Sequence, residues 1–311
     1  MMRTTCDVSS SGSGSHAFHR RLSDFNRTRL EPCLAVEREN EGIELKLAVE
    51  SVMRELEGGF VEHKRASVRA RAALVPRTPD EFVAWFEALE INGPGQHDRL
   101  FTYLANGASR AEMIWFLRQE LAGEAGFDDL VALTQVKLPL RPKLELARNY
   151  WDELGRGHES GVHGELLTSL AAELAIESSD DVVWESLALG NLMVALASNR
   201  HYAYQSLGAL GAIELTAPGR STLVNQGLKR LGVSGAARRY FALHATLDVK
   251  HSLAWNREVI APLVAKDPRI AQAMAEGALM RLQAGARCFE RYRRELGLDA
   301  GRTSGPSPAA A

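Results

Sequence analysis

Residues 243–251 read Leu243-His244-Ala245-Thr246-Leu247-Asp248-Val249-Lys250-His251. An α-helix turns ~100° per residue, so positions i, i+4 and i+7 fall within a stripe roughly 60° wide. In a helix, His244, Asp248 and His251 therefore point the same way. Phe241, Leu243, Leu247 and Trp255 place much of that stripe beside apolar neighbours. Two imidazoles and a carboxylate on one partly buried face have few ways of being satisfied, and a metal ion is the economical one. The bland alternative is a solvated or hydrogen-bonded polar stripe.

The rest of the chain reads as helical. Ala, Leu, Glu and Arg dominate, and β-branched runs with period-two alternation are scarce. Helices are predicted near residues 27–57, 79–91, 95–105, 110–136, 139–153, 161–174, 182–198, 201–216, 220–231, 236–264 and 268–296. Pro79, Pro139 and Pro268 sit near starts, while Gly155, Gly219, Gly232 and Gly235 lie in breaks. Ser109-Arg110-Ala111-Glu112 has capping-box form. Residues 1–24 and 299–311 read as flexible tails around one helical domain at 25–298.

The chain has 311 residues, 45% of them hydrophobic, enough for a sizeable core. A net charge of −2 gives no reason to expect nucleic acid or an anionic membrane as partner. Cys6, Cys33 and Cys288 lie too far apart for a zinc or disulfide pattern and read as reduced thiols. Residues 1–16 lack the apolar core of a secretory signal, and no uninterrupted apolar run reaches the ~18 residues of a membrane span. A cytoplasmic protein is expected.

Other helices present similar groups. Glu214 ends the apolar, Gly-rich stretch Ser206-Leu207-Gly208-Ala209-Leu210-Gly211-Ala212-Ile213, whose glycines allow close approach of a helix or ligand. Asp152-Glu153-Leu154-Gly155-Arg156-Gly157 precedes His158 and His163. His163 begins a helix beside Leu166 and Leu167, whereas His158 is expected to face solvent. Glu120 and Glu124 are spaced i, i+4 on the predicted helix over 110–136, where like charges repel unless a cation or salt bridge offsets them. Carboxylates with a few histidines suit iron or manganese. The paired Glu-x-x-His repeat of ferritin-like bundles is absent.

This ordered set resembles the heme-oxygenase-like diiron oxidases and oxygenases, over residues 115–255. The carriers are an early Glu, a Glu-x9-His segment, an isolated Glu thirty residues before the last motif, and His-x3-Asp-x2-His itself. The resemblance implies an all-α, heme-oxygenase-like helical bundle of about seven core helices, here with extra N-terminal helices. It implies two iron ions and no heme. Glu124, His163, Glu214, His244, Asp248 and His251 match the six shared ligands, with Glu120 a substitute for Glu124 because the two are expected to share a helix face. Glu153 matches an extra carboxylate of members that oxidise amine nitrogen, and is the candidate catalytic residue. Two Fe(II) ions would reduce O2 to a bridging peroxo-diiron(III) species that attacks an amine. The partners implied are a small-molecule substrate and an external electron donor; members are often dimers, so a homodimer fits.

Rival readings are a diiron oxidase that cleaves carbon–carbon bonds of an amino or fatty acid, a cofactor-free oxidase of the same fold, and a non-enzymatic helical module. A carboxylate-binding Arg in the pocket would favour the first. Arg200 and Arg220 are the candidates, with surface salt bridging the expected role of both.

Overall fold

The computed structural model describes residues 12–34, 42–177 and 181–299, and no β-strand occurs among them. The helices are α1 (Gly12–Leu30), α2 (Ile43–Ala72), α3 (Pro79–Glu87), α4 (Leu89–Asn92), α5 (Arg99–Asn106), α6 (Arg110–Gly123) and α7 (Phe127–Thr134). They continue with α8 (Leu140–Glu153), α9 (His163–Glu173), α10 (Trp184–Ser198), α11 (Ala203–Arg230), α12 (Arg239–Trp255), α13 (Ala261–Lys266) and α14 (Arg269–Glu295). The all-α expectation is met, and the Ser109–Glu112 capping box forms at the start of α6.

At the centre lies α11, packed on α14, α12, α5 and α10. Its small residues explain that position. A Cβ at Gly208 would lie 1.9 Å from the Met274 carbonyl oxygen, and one at Gly277 would lie 1.8 Å from that of Gln205. The backbones of α11 and α14 therefore touch with nothing between them. One turn on, a Cβ at Gly211 would meet the Trp255 indole nitrogen at 2.7 Å, so the fully buried Trp255 of α12 also seats on α11.

Several predicted boundaries change. Residues 12–24 are not part of a tail: α1 packs on α10 and buries His19 and Leu22, with Asn26 hydrogen-bonded to Asn191. Phe18, Leu22 and Phe25 supply its apolar stripe, a signal that the Ser/Gly-rich start obscured. The rest of the expected tails, apart from Asp299, which pairs with Arg99 and Arg293, lies outside the described residues. The helix expected over 27–57 is shared between α1, which ends at Leu30, and α2, which begins at Ile43; residues 32–34 around Pro32 are not helical.

The break expected between Thr216 and Arg220 does not occur; α11 runs straight through Pro218. Burial of both flanks outweighs the lost hydrogen bond, and the missing N–H is the one that would have met the carbonyl of Glu214. After α12 the chain makes a π turn, Asn256–Ile260, before α13. Pro262 stands four residues beyond Glu258 and cannot close that turn in α geometry.

The helix expected over 110–136 divides. Gly126, at φ 71°, takes the left-handed conformation that a side chain disfavours, and α6 gives way to α7 there. Glu124 closes α6 with extended backbone, and its Oε1 accepts the Gly126 N–H at 3.1 Å. Glu120 and Glu124 thus do not share a helix face, contrary to expectation.

Candidate metal centre

The first part of the site is built by a closed loop. Glu153 ends α8 and His163 begins α9. Between them Leu154 and Val162 form an antiparallel bridge that pinches the loop at its neck. Gly155 makes the pinch possible: it has φ 60°, and a Cβ there would lie 2.4 Å from the Gly161 carbonyl carbon. The ten-residue spacing from Glu153 to His163 is the length of this loop. Glu153 Oε2 comes within 2.6 Å of His163 Nδ1 without hydrogen-bond geometry, so the ring nitrogen has no hydrogen-bond partner.

The α12 stripe faces this pair. His244 meets His163 edge-on, ring centroids 4.7 Å apart. Glu153, His163 and His244 each offer a ligand atom, all within 4.8 Å of one another. Further along α12, Asp248 and His251 join Glu214 of α11 in a second trio of the same kind. His251 Nδ1 lies 3.4 Å from Glu214 Oε2 and 3.9 Å from Asp248 Oδ1. The trios are linked, because Asp248 holds His244 Nδ1 at 3.0–3.1 Å.

All of these groups but His244 are buried, and Glu153 and Glu214 are only 3% and 2% exposed. Carboxylates at that depth need a cation or several donors. In the protein alone the histidines respond. Burial opposes a charge on His244, yet Asp248, Glu153 and Glu214 raise it to about 9. For His251 burial is again overcome, by Glu214, Asp152 and Asp248, and it too rises to about 9. Burial and the neighbouring Glu214 push the Asp248 carboxyl up. His163 Nδ1, His244 Nε2 and His251 Nδ1 are all buried without a hydrogen-bond partner. Three unsatisfied ring nitrogens set among converging carboxylates fit a pair of metal ions, and the oxygen–nitrogen donor set suits iron.

Helix α8 supports the second trio from behind. Asn149 Nδ2 donates to Glu214 Oε1 at 2.5 Å, and Asp152 Oδ2 takes His251 Nε2 at 3.2 Å. A histidine gripped through one nitrogen by a carboxylate presents the other to a metal. Sequence reading passed over both residues, although Asn149, Asp152 and Glu153 at i, i+3 and i+4 mark a single polar face.

The two early glutamates part company. Glu124 borders a cavity of about 210 Å3 together with Glu153, His163, Glu214, His244 and Asp248. Its side chain is exposed, although protein surrounds it, and it also borders a second pocket with Leu30, Asp129 and Asn191. Burial holds its carboxyl above the usual range against the pull of His244, with Glu153 adding to the rise. Glu120 lines the same cavity, but the charges acting on it are chiefly Arg220 and Arg281, and burial again raises its carboxyl. Tyr240 completes this wall, its ring 4.5 Å from that of His244.

Other expectations resolve simply. His158 is exposed. Cys288 is buried and does not line the cavity, Cys33 is exposed, and Cys6 lies outside the described residues. Arg200 caps the backbone carbonyls of Leu133, Thr134 and Val136. Arg220 makes no surface salt bridge; it lines the cavity, and burial lowers it to about 10. No helix of the described residues is long and apolar enough to cross a membrane.

The sequence profile of the iron-containing redox enzymes matches residues 114–286, more than half of the chain and the whole span from Glu120 to Arg281. The chain belongs to this family of iron-containing redox enzymes. Membership makes it an iron-dependent oxidoreductase, and the two carboxylate–histidine trios are its candidate metal-binding groups. No curated protein matches the chain.

Proposed function

We propose that the chain is a non-heme diiron oxygenase that transfers oxygen from O2 to the nitrogen of a small amine. The observation that carries this reading is the pair of linked trios, each holding a histidine nitrogen without a partner. Glu153, His163 and His244 hold one ion and Glu214, Asp248 and His251 the other, with Glu124, not Glu120, as the further carboxylate. Two iron ions supply the electrons and Lewis acidity that activate O2. One oxygen atom converts N–H to N–OH; the other leaves as water, with two protons and two electrons from an external donor.

The protein's own groups prepare this chemistry. Asp152 and Asn149 fix His251 and Glu214 through their outer atoms. Asp248 fixes the His244 ring and leaves Nε2 toward the metal side. Glu153 adds a carboxylate to the first trio, and that extra negative charge favours the oxidised state of the ions. The apolar cavity wall, including Leu167, Met193 and Phe241, limits water around the reacting nitrogen.

Carbon–carbon cleavage of an acid is the second reading, favoured by Arg220 in the cavity wall. The test is anaerobic Fe(II) titration, mixing with O2 under optical observation, and mass spectrometry of products. Two irons per chain with an O2-dependent visible transient support the diiron reading; a chain that takes up no divalent metal refutes it. Oxygen added to nitrogen separates the first reading from loss of carbon dioxide. Glu153→Ala should lower iron content or shorten the transient, and normal values for both would remove its assigned role.

A further inference from the structure

The second pocket, of about 440 Å3, lies between α1, α10 and the break that separates α6 from α7. Glu124 and Ala125 line both this pocket and the metal-side cavity, so the two voids meet at the break. Beside it the wall between them is bare main chain. A Cβ at Gly190, which lines the pocket, would lie 3.1 Å from the carbonyl oxygen of Gly123, which lines the cavity. The opening depends on Gly126, whose φ of 71° a side chain would resist. At the outer rim of the pocket, Leu30, Glu31 and Pro32 are exposed.

The polar groups of this pocket favour a cation. Glu31, Glu124 and Asp129 supply three carboxylates against one guanidinium, Arg27, which already faces Asp24 at 3.7 Å and Glu31 at 4.0 Å. Asn26, which also lines the pocket, adds an independent sign. It is 5% exposed, and its Oδ1 has no hydrogen-bond partner. A relay fixes which atom is left free. Asn191 Nδ2 donates to the His19 carbonyl at 2.8 Å, so Asn191 Oδ1 is the atom that accepts Asn26 Nδ2 at 2.9 Å. The unused atom is therefore an oxygen, an acceptor that suits a hard cation or its water. The three carboxylates do not form a group of the kind the trios form, so the pocket suits passage better than residence.

We propose that this pocket is the entry port through which a divalent metal ion reaches the two trios. A hydrated cation is drawn from the rim by Glu31 and Asp129, meets the Asn26 oxygen, and passes at Glu124 into the cavity. Carboxylates lining a protein-walled void raise the local concentration of cations and speed their arrival about 10–10³-fold. The port rests on the metal-binding reading of the trios, though not on the number of ions held or the reaction performed.

The test is stopped-flow mixing of the metal-free full chain with Co(II), whose visible ligand-field bands report its arrival among histidines and carboxylates, followed by metal analysis at equilibrium. The double variant Glu31→Gln/Asp129→Asn should take up Co(II) about tenfold or more slowly at low salt, with unchanged stoichiometry. Its rate should also lose most of the wild type's dependence on added KCl. A control of equal net charge, Glu90→Gln/Glu290→Gln, removes exposed carboxylates of α4 and α14 that line neither void, and should keep the wild-type rate. Ala122→Phe fills the pocket without changing charge and should slow uptake at low and high salt alike. The Glu31/Asp129 comparison stands even if Ala122→Phe fails to fold. Wild-type kinetics in the Glu31→Gln/Asp129→Asn variant overturns the proposal; so does equal slowing in the control, or a loss of stoichiometry that would make the pocket a place of residence. No Co(II) held by the wild type would refute the port and the diiron reading together. Slowed entry into a chain that holds a single ion would retain the port and refute the pair.

Discussion

Replacing Asn149 with leucine isolates the support given to the metal ligands from the ligands themselves. The side chain is 2% exposed and donates one hydrogen bond, to Glu214 Oε1. Its own Oδ1 has no partner, so leucine, of similar size, removes one interaction and strands nothing on Asn149's side. A hydrogen bond to a charged acceptor contributes about 1.5–3 kcal/mol. Loss of an outer partner of a metal ligand typically lowers affinity about 10–100-fold, equivalent to about 1.4–2.7 kcal/mol. The two routes agree, so Fe(II) affinity at the second trio should fall by one to two orders of magnitude. The assay is anaerobic Fe(II) titration against a competing chelator, with circular dichroism to establish that Asn149→Leu remains helical. A folded variant with wild-type affinity for every iron it binds would refute the reasoning: Glu214 would then not be a ligand positioned by α8.

Glu124→Gln should lower iron content while Glu120→Gln leaves it unchanged, measured by metal analysis after anaerobic loading; the reverse pattern would exchange their assignments. In the metal-free protein, His244 and His251 are raised from 6.5 to about 9 in the fold. A raised folded-state value stabilises the fold fully below the unfolded value and is lost as pH rises through the folded one. The urea midpoint of metal-free protein should therefore fall between pH 6.5 and 9, and a midpoint that climbs over this window contradicts the assigned fields. Gly277→Ala places a Cβ 1.8 Å from the Gln205 carbonyl oxygen, a backbone atom that cannot step aside. It should destabilise by about 1–3 kcal/mol or more in urea denaturation, and an unchanged midpoint would mean that α11 and α14 do not touch as described.

The legible parts of this protein were those written in local spacing. His244, Asp248 and His251 share a helix stripe by arithmetic alone, whereas Glu153 and His163 were paired by the family resemblance, and the glycines between them close the loop that joins them. Glycine at 208 and 211 announced close helix contact, and the structure places the α14 backbone and Trp255 there. What escaped depended on distant partners or on backbone sign. Nothing local said that Gly126 would turn left-handed and lift Glu124 off the face of Glu120. Gly219 marked a break that does not form, because the burial that carries α11 through it depends on helices far along the chain. Arg281 gave no signal, since a lone arginine between the buried Met280 and Leu282 is indistinguishable from one that snorkels outward until its neighbours are known.

The contact between α11 and α14 has a bearing on how such a catalyst can diversify. Gly208 and Gly277 set the two helices at a main-chain distance, independent of any side chain that drifts. Arg220 and Arg281 ride on those same helices, so their separation is inherited from that contact as a fixed gauge. The cavity lining can be resized from the α9, α10 and α12 sides while the gauge stays constant. New substrates would then be recruited by altering what fills the cavity, while the spacing of the two helices that wall it stays constant.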